Sequence, residues 1–175
     1  MNKDIALQAR KALEMELKRR NLPLSLLSLL MPQISVETAG FNSKLALQHN
    51  NISGMTWAKQ PGAYNTGIKK PDNEAPGTYA GYDNTQAWAS DYIGTLARNF
   101  PDSLKATNFA DFAEALKKGK SGRQYYEATQ ADYLKALRSW IPQMSKLFPD
   151  INFKSAANIA AVVIIAAVAL YFIIY

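Results

Sequence analysis

The sequence has no cysteine and one histidine, His49, among its 175 residues. The absence of thiols excludes disulfides, thiolate nucleophiles and Cys-ligated zinc. A lone histidine excludes any site that needs two, and leaves a Ser-His-Asp hydrolase only one position around which to form. No signal peptide is legible: residues 1–20 are amphipathic and charged, without an apolar core or a cleavage site. No internal repeat and no recognised nucleic-acid motif is present. The remaining acid-base groups are carboxylates, 14 in all against 20 Lys and Arg, for a net charge of +6. The basic excess reads as solvated faces or as a match for a negatively charged envelope, and nucleic acid is not expected as a partner.

Charge is also missing locally. Residues 156–175 form a run of 20 with none and with one amide, Asn158. At about 1.5 Å per residue such a run is long enough for a bilayer core. Ser155 can cap it, and Tyr171 and Tyr175 suit an interface. The sequence therefore predicts a C-terminal transmembrane helix over 156–175, a tail anchor in the lipid bilayer, behind a linker at 149–155 and a folded domain at 1–148. Lys146 and Lys154 on the near side predict a cytoplasmic domain by the positive-inside rule. The mean hydropathy of −0.19 then averages a polar domain and an apolar tail.

Within 1–148 the pattern is mainly helical. Ile5, Ala9, Ala12, Leu13 and Leu17 mark the inner face of a first helix. Asn21-Leu22-Pro23 breaks it, and Pro23 can open the next, an apolar segment to Val36 that reads as a central buried helix with Gly40 as its stop. A short helix is expected over 43–48. Seven Gly and Pro residues over 58–81 predict a loop or a small β-hairpin lobe. Helical pattern returns at 85–98, after an Asn108 cap, and after a Thr129–Asp132 capping pair. The expected class is α+β, mainly α, with a cleft between a helical body and a small hairpin lobe.

Glu37 stands out at the end of the most apolar helix. Burial and the negative end of the helix dipole both disfavour the carboxylate. A carboxyl held protonated near neutrality is what glycoside cleavage needs as its general acid. The other reading is an ordinary surface Glu at a frayed helix end, and the pattern leaves both open.

The stretch from Leu22 to Met55 resembles the glucosaminidase domain of bacterial cell-wall hydrolases, glycoside hydrolase family 73. That family carries an apolar helix ending in Gln-x-x-x-Glu-Ser-Gly-x-Gly-x-Ser, then Leu-Ala, a short spacer and Asn-Asn-Leu-Phe-Gly. Gln33, Glu37, Ser43, Leu45, Ala46, Asn50, Asn51 and Gly54 stand in that order. Residues 79–83 resemble its Phe-Arg-x-Tyr-x-Ser, and residues 125–133 its closing Tyr-Ala-Thr-Asp-Pro-x-Tyr. The resemblance covers roughly residues 5–142. Thr38, Phe41, Asn42, Ile52, Ser53 and Ala80 depart from the pattern, and the closing motif lacks its proline, which marks a divergent member.

The resemblance implies a lysozyme-like fold, and a peptidoglycan hydrolase cutting the β-1,4 bond after N-acetylglucosamine without metal or organic cofactor. Its partners are the peptidoglycan glycan strands. It implies Glu37 as general acid and a second carboxylate on the hairpin lobe, for which Glu74 is the candidate and Asp72 the fallback. It places Tyr82 and Tyr126 along the cleft. Trp57, Tyr64 and Asn50 are further candidates for the groove, Asn50 and Asn51 also reading as turn builders. A muramidase or lytic transglycosylase of the same fold, or a non-catalytic wall-binding or assembly module, are the alternatives. The expected setting is a bacterial envelope or the internal membrane of a lipid-containing phage virion.

Overall fold

The computed structural model describes residues 1–71 and 76–157. Asn2 opens α1 (Lys3–Arg19) by accepting from the Ile5 amide. The helix buries Ala6, Ala9, Ala12, Leu13, Glu16 and Leu17, the expected face, with Ile5 half-buried against the same core. A 3-10 turn at Leu24–Leu26 leads into α2 (Leu27–Glu37), which is buried continuously from Leu27 to Ser35. That helix is the axis of the body: α1, α6, α7 and α8 pack around it. Its lack of a polar face is what central placement requires.

Ser43 caps α3 (Lys44–His49), and Asn50 ends it in the left-handed region. The turn-rich segment folds into an antiparallel hairpin of β1 (Ala63–Lys69) and β2 (Thr78–Tyr82). Ala63 pairs with Tyr82 and Lys69 with Thr78, with an irregularity between Asn65 and Lys69. Asn84 then caps α4 (Thr85–Asn99), and Asn108 caps α5 (Phe109–Lys117). Thr129 caps α6 (Gln130–Ser139), which α7 (Ile141–Leu147) and α8 (Phe153–Ala157) follow. Each of these caps satisfies an amide that the first helical turn leaves without a partner. The described residues are thus mainly helical with one small antiparallel sheet, the expected α+β class.

The C-terminal transmembrane helix of that expectation is corrected. Among the described residues no helix is long and apolar enough to cross a membrane. The expected span begins at Ala156, yet Ala156 and Phe153 are buried on α8, a five-residue helix packed against α2 and α7. Here the apolar side chains complete the core of the domain. Asp150, in the expected linker, ion-pairs with Arg10 of α1. Residues 158–175 of the expected span lie outside the described residues.

Candidate active site

α2 carries Gln33 and Glu37 one turn apart on one face, as a spacing of four dictates. Gln33 is buried, and the helix then emerges, so that Glu37 is exposed, the surface position that was one of the two readings its sequence pattern left open. The turn that follows is closed tightly. Thr38 donates its hydroxyl to the Ile34 carbonyl at 2.7 Å and accepts from the Phe41 amide at 3.0 Å. Gly40 has φ +72°, and a Cβ there would lie 2.5 Å from the Trp140 ring. Only glycine fits both the backbone and the ring. The end of α2, and with it Glu37, is held by this closure.

Four side chains converge behind the carboxyl. Gln33 Nε2 donates to Glu37 Oε1 at 3.2 Å, and the Tyr133 hydroxyl donates to the same oxygen at 3.4 Å. Gln33 Oε1 in turn accepts from the hydroxyl of Tyr92, a buried residue of α4. The Tyr125 and Tyr133 hydroxyls also face the Gln33 amide. Burial, with the nearby negative charge of Glu37 adding to it, holds all three phenols well above the usual tyrosine range. They are therefore neutral at ordinary pH and available as hydrogen-bond donors.

Tyr126 stacks on Tyr133 with centroids 3.8 Å apart, and its own hydroxyl donates to the Ala113 carbonyl at 3.0 Å. Tyr82 is 1% exposed, and its hydroxyl donates to Asp91 on α4 at 2.7 Å. Burial and then the Asp91 carboxylate hold this phenol far above its ordinary range. Gln60 donates to the same Asp91 oxygen at 3.1 Å, so Tyr82 and Gln60 tie the base of the hairpin to α4. Asn50 donates to the Tyr82 carbonyl at 2.9 Å. Asn51 donates to the carbonyls of Met55 and Ala80 and accepts from the Met55 amide. Both asparagines thus bind α3 to β2. Trp57 is half-buried against the core, with its amide on the Thr78 carbonyl. Tyr64 is exposed, with its ring over Gly81 and its hydroxyl 3.2 Å from His49 Nδ1. Glu74 and Asp72 lie outside the described residues. Among the described residues no group of three or more His, Cys, Asp or Glu could hold a metal ion.

The structure therefore brings Glu37 together with Gln33, Tyr92, Tyr125 and Tyr133. Of these, Gln33 and the 125–133 stretch carried a signal in the sequence. Tyr92 carried none, because four residues after Trp88 on an amphipathic helix it reads as core, which it also is.

No family model matches the chain, and no curated protein matches it in sequence. Solved structures do. The glycoside hydrolase domain of FlgJ from Salmonella typhimurium superposes with a TM-score of 0.58 at 19% identity, covering 86% of this chain and 93% of that one. A C-terminally truncated form of that domain gives 0.53 at 20% identity, covering 82% and 97%. The catalytic domain of the autolysin Auto from Listeria monocytogenes gives 0.50 at 18% identity, covering 87% and 82%. The fold is that of these glycoside hydrolase domains. It agrees with the resemblance carried by Gln33 to Gly54.

Proposed function

We propose that the chain is a peptidoglycan hydrolase that cleaves the β-1,4 glycosidic bond after N-acetylglucosamine, with Glu37 as general acid. The observation that carries this reading is the placement of Glu37. It is an exposed carboxyl at the end of a buried helix, with one oxygen held by a buried amide and a neutral phenol. The fold shared with glycoside hydrolase domains supports it.

In the proposed reaction the Glu37 carboxyl gives its proton to the glycosidic oxygen as the bond from that oxygen to the anomeric carbon breaks. A water molecule then supplies the hydroxyl to that carbon, and its other proton passes to a carboxylate of the site, either the second one or the Glu37 carboxylate just formed. An exposed carboxyl is mostly ionised in water. A glycan strand lying over it excludes that water and disfavours the charged form, which supplies the protonated acid where it is needed. The second carboxylate, which activates water or balances the oxocarbenium-like charge, is assigned to Glu74, with Asp72 as fallback.

The test is clearing of purified peptidoglycan by the folded E37Q variant. A loss of about 10²–10⁴-fold is expected, the usual weight of a general acid. Clearing at the wild-type rate by a correctly folded E37Q overturns the assignment. Mass spectrometry of the products tests the bond: an N-acetylglucosamine reducing end supports it, and a 1,6-anhydro-muramic end places the chain with lytic transglycosylases.

A further inference from the structure

We propose that Tyr92 is a positioning residue for Glu37 that acts through the orientation of the Gln33 amide. The inference rests on Glu37 being the general acid.

A primary amide has one accepting end and one donating end, and the two are nearly equal in size. A buried glutamine beside a carboxylate can therefore sit in either of two orientations. With Nε2 forward it donates to the carboxylate. With Oε1 forward it sets two acceptors against each other unless the carboxyl is protonated. The Tyr125 and Tyr133 hydroxyls also face this amide, and the bond that holds its oxygen is made from α4. The Tyr92 hydroxyl donates to Gln33 Oε1. A neutral phenol has a single proton, and Tyr92 is fully buried, away from bulk solvent. That bond pins Oε1 toward α4 and turns Nε2 toward Glu37, where it donates at 3.2 Å. Tyr92 is itself fixed, since the Trp88 ring stacks on it at 5.6 Å and 11°, and the indole N–H is held by Ser53 at 2.9 Å.

The consequence concerns the acid proton. Gln33 Nε2 and the Tyr133 hydroxyl both donate to Glu37 Oε1. An oxygen accepting two hydrogen bonds is a poor place for a proton. The two donors therefore make Oε1 the fixed, accepting end of the carboxyl. A carboxyl with one oxygen held in this way is already oriented at the moment of proton transfer.

Loss of the Tyr92 hydroxyl frees the amide to turn. It then presents Oε1 to Glu37 for part of the time, which penalises the carboxylate and favours the protonated acid. The acid pKa rises. A general acid works while protonated, so the descending alkaline limb of the rate profile moves to higher pH. The titratable groups brought to Glu37 among the described residues are Tyr92 on α4, Tyr125 ahead of α6 and Tyr133 on α6. All three are neutral across such a profile, and the second carboxylate, which works ionised, sets the acid limb, so the alkaline limb follows Glu37.

The experiment measures kcat and KM against pH for the full chain with Y92F, Q33M and the double variant, on soluble glycan fragments. Thermal unfolding of each variant checks that it is folded. Y92F is expected to lower kcat about tenfold with KM within twofold, and to move the alkaline limb up by about one pH unit. Q33M is expected to lower kcat at least as much, because the donor itself is gone. The series arrangement gives the sharpest outcome: adding Y92F to Q33M changes neither kcat nor the limb further. Additive effects, or a Y92F profile that superposes on wild type, overturn the proposal. An active E37Q removes the general-acid reading instead, so the two failures are distinguishable.

Discussion

Tyr126 lies flat against Tyr133, with ring centroids 3.8 Å apart and planes within 7°. The hydroxyl of Tyr133 reaches Glu37 Oε1, whereas that of Tyr126 turns away to the Ala113 carbonyl on α5. In this arrangement Tyr126 is a backing plate that fixes the ring in contact with the carboxyl. Y126A is expected to lower stability by about 3 kcal/mol, as loss of a buried aromatic does, and to lower kcat with it. Y133F is expected to lower kcat about threefold with little change in thermal midpoint. Kinetics and thermal unfolding on both variants check the division. If Y126A raises KM at an unchanged midpoint, Tyr126 touches the sugar rather than the fold.

Lys117 secures the same region from the other side. Its ammonium stands 4.9 Å from the Tyr126 ring centroid and donates at 3.1 Å to the carbonyls of Tyr126, Glu127 and Ala128. Three carbonyls in a row converge on one cation, which closes the loop between α5 and α6. K117M keeps the aliphatic stem and deletes the charge. It is expected to cost about 1–3 kcal/mol in urea unfolding. K117R, which keeps the charge in a different shape, is expected to recover part of that. Equal stability of K117M and wild type would show that water serves these carbonyls as well.

On the hairpin, the Tyr64 ring occupies the space that a side chain at Gly81 would need, and a Cβ there would lie 2.5 Å from Cε2. Tyr64 and Gly81 are register partners, so the clash cannot be avoided by sliding one residue along. G81A is expected to lower stability by about 1–3 kcal/mol and to push the ring off its contact with His49. The histidine ring signals in an NMR spectrum report that contact. Unperturbed His49 shifts in folded G81A would mean that the hairpin yields instead of the tyrosine.

The parts of this structure that depend on neighbours in the chain were legible before it. Asn108 and Thr129 act on amides a few residues away, and their caps are local chemistry. The apolar run of α2 and the turn residues of the hairpin likewise speak for themselves. What was not legible depends on partners far along the chain. Tyr82 finds Asp91 and Tyr92 finds Gln33 only once α4 packs beneath the hairpin and beside α2. Whether Glu37 was buried or exposed stayed open in the sequence, because the pattern does not mark the point at which a buried helix reaches the surface, here one turn after Gln33. The anchor expectation treated an apolar run as uniform, whereas its first residue fills the core beside Phe153.

Glu16 gives the fold an acid-sensitive joint. Its side chain is buried within α1, where Arg19 donates from Nε at 2.8 Å and Arg20 also donates to it. Arg20 reaches on to the Ser90 carbonyl at 3.1 Å, so the carboxylate organises the contact between α1 and α4. Burial raises the Glu16 pKa, but the hydrogen bonds and charges of Arg19 and Arg20 outweigh it, and the net direction is down from the ordinary 4.5. A depressed folded-state pKa contributes stability that is complete above the unfolded value and is lost as pH falls through the folded one. E16Q keeps the shape and removes the charge. At pH 7 it is expected to be less stable than wild type by about 1–2 kcal/mol, a modest figure because both arginines are partly solvated. As pH falls below 4.5 toward the lowered folded-state value the charge contribution is lost, and the gap between the two proteins is expected to narrow. Urea unfolding of both at pH 7 and pH 3 checks this, and a gap that is as wide at pH 3 as at pH 7 would assign the loss to packing instead of charge.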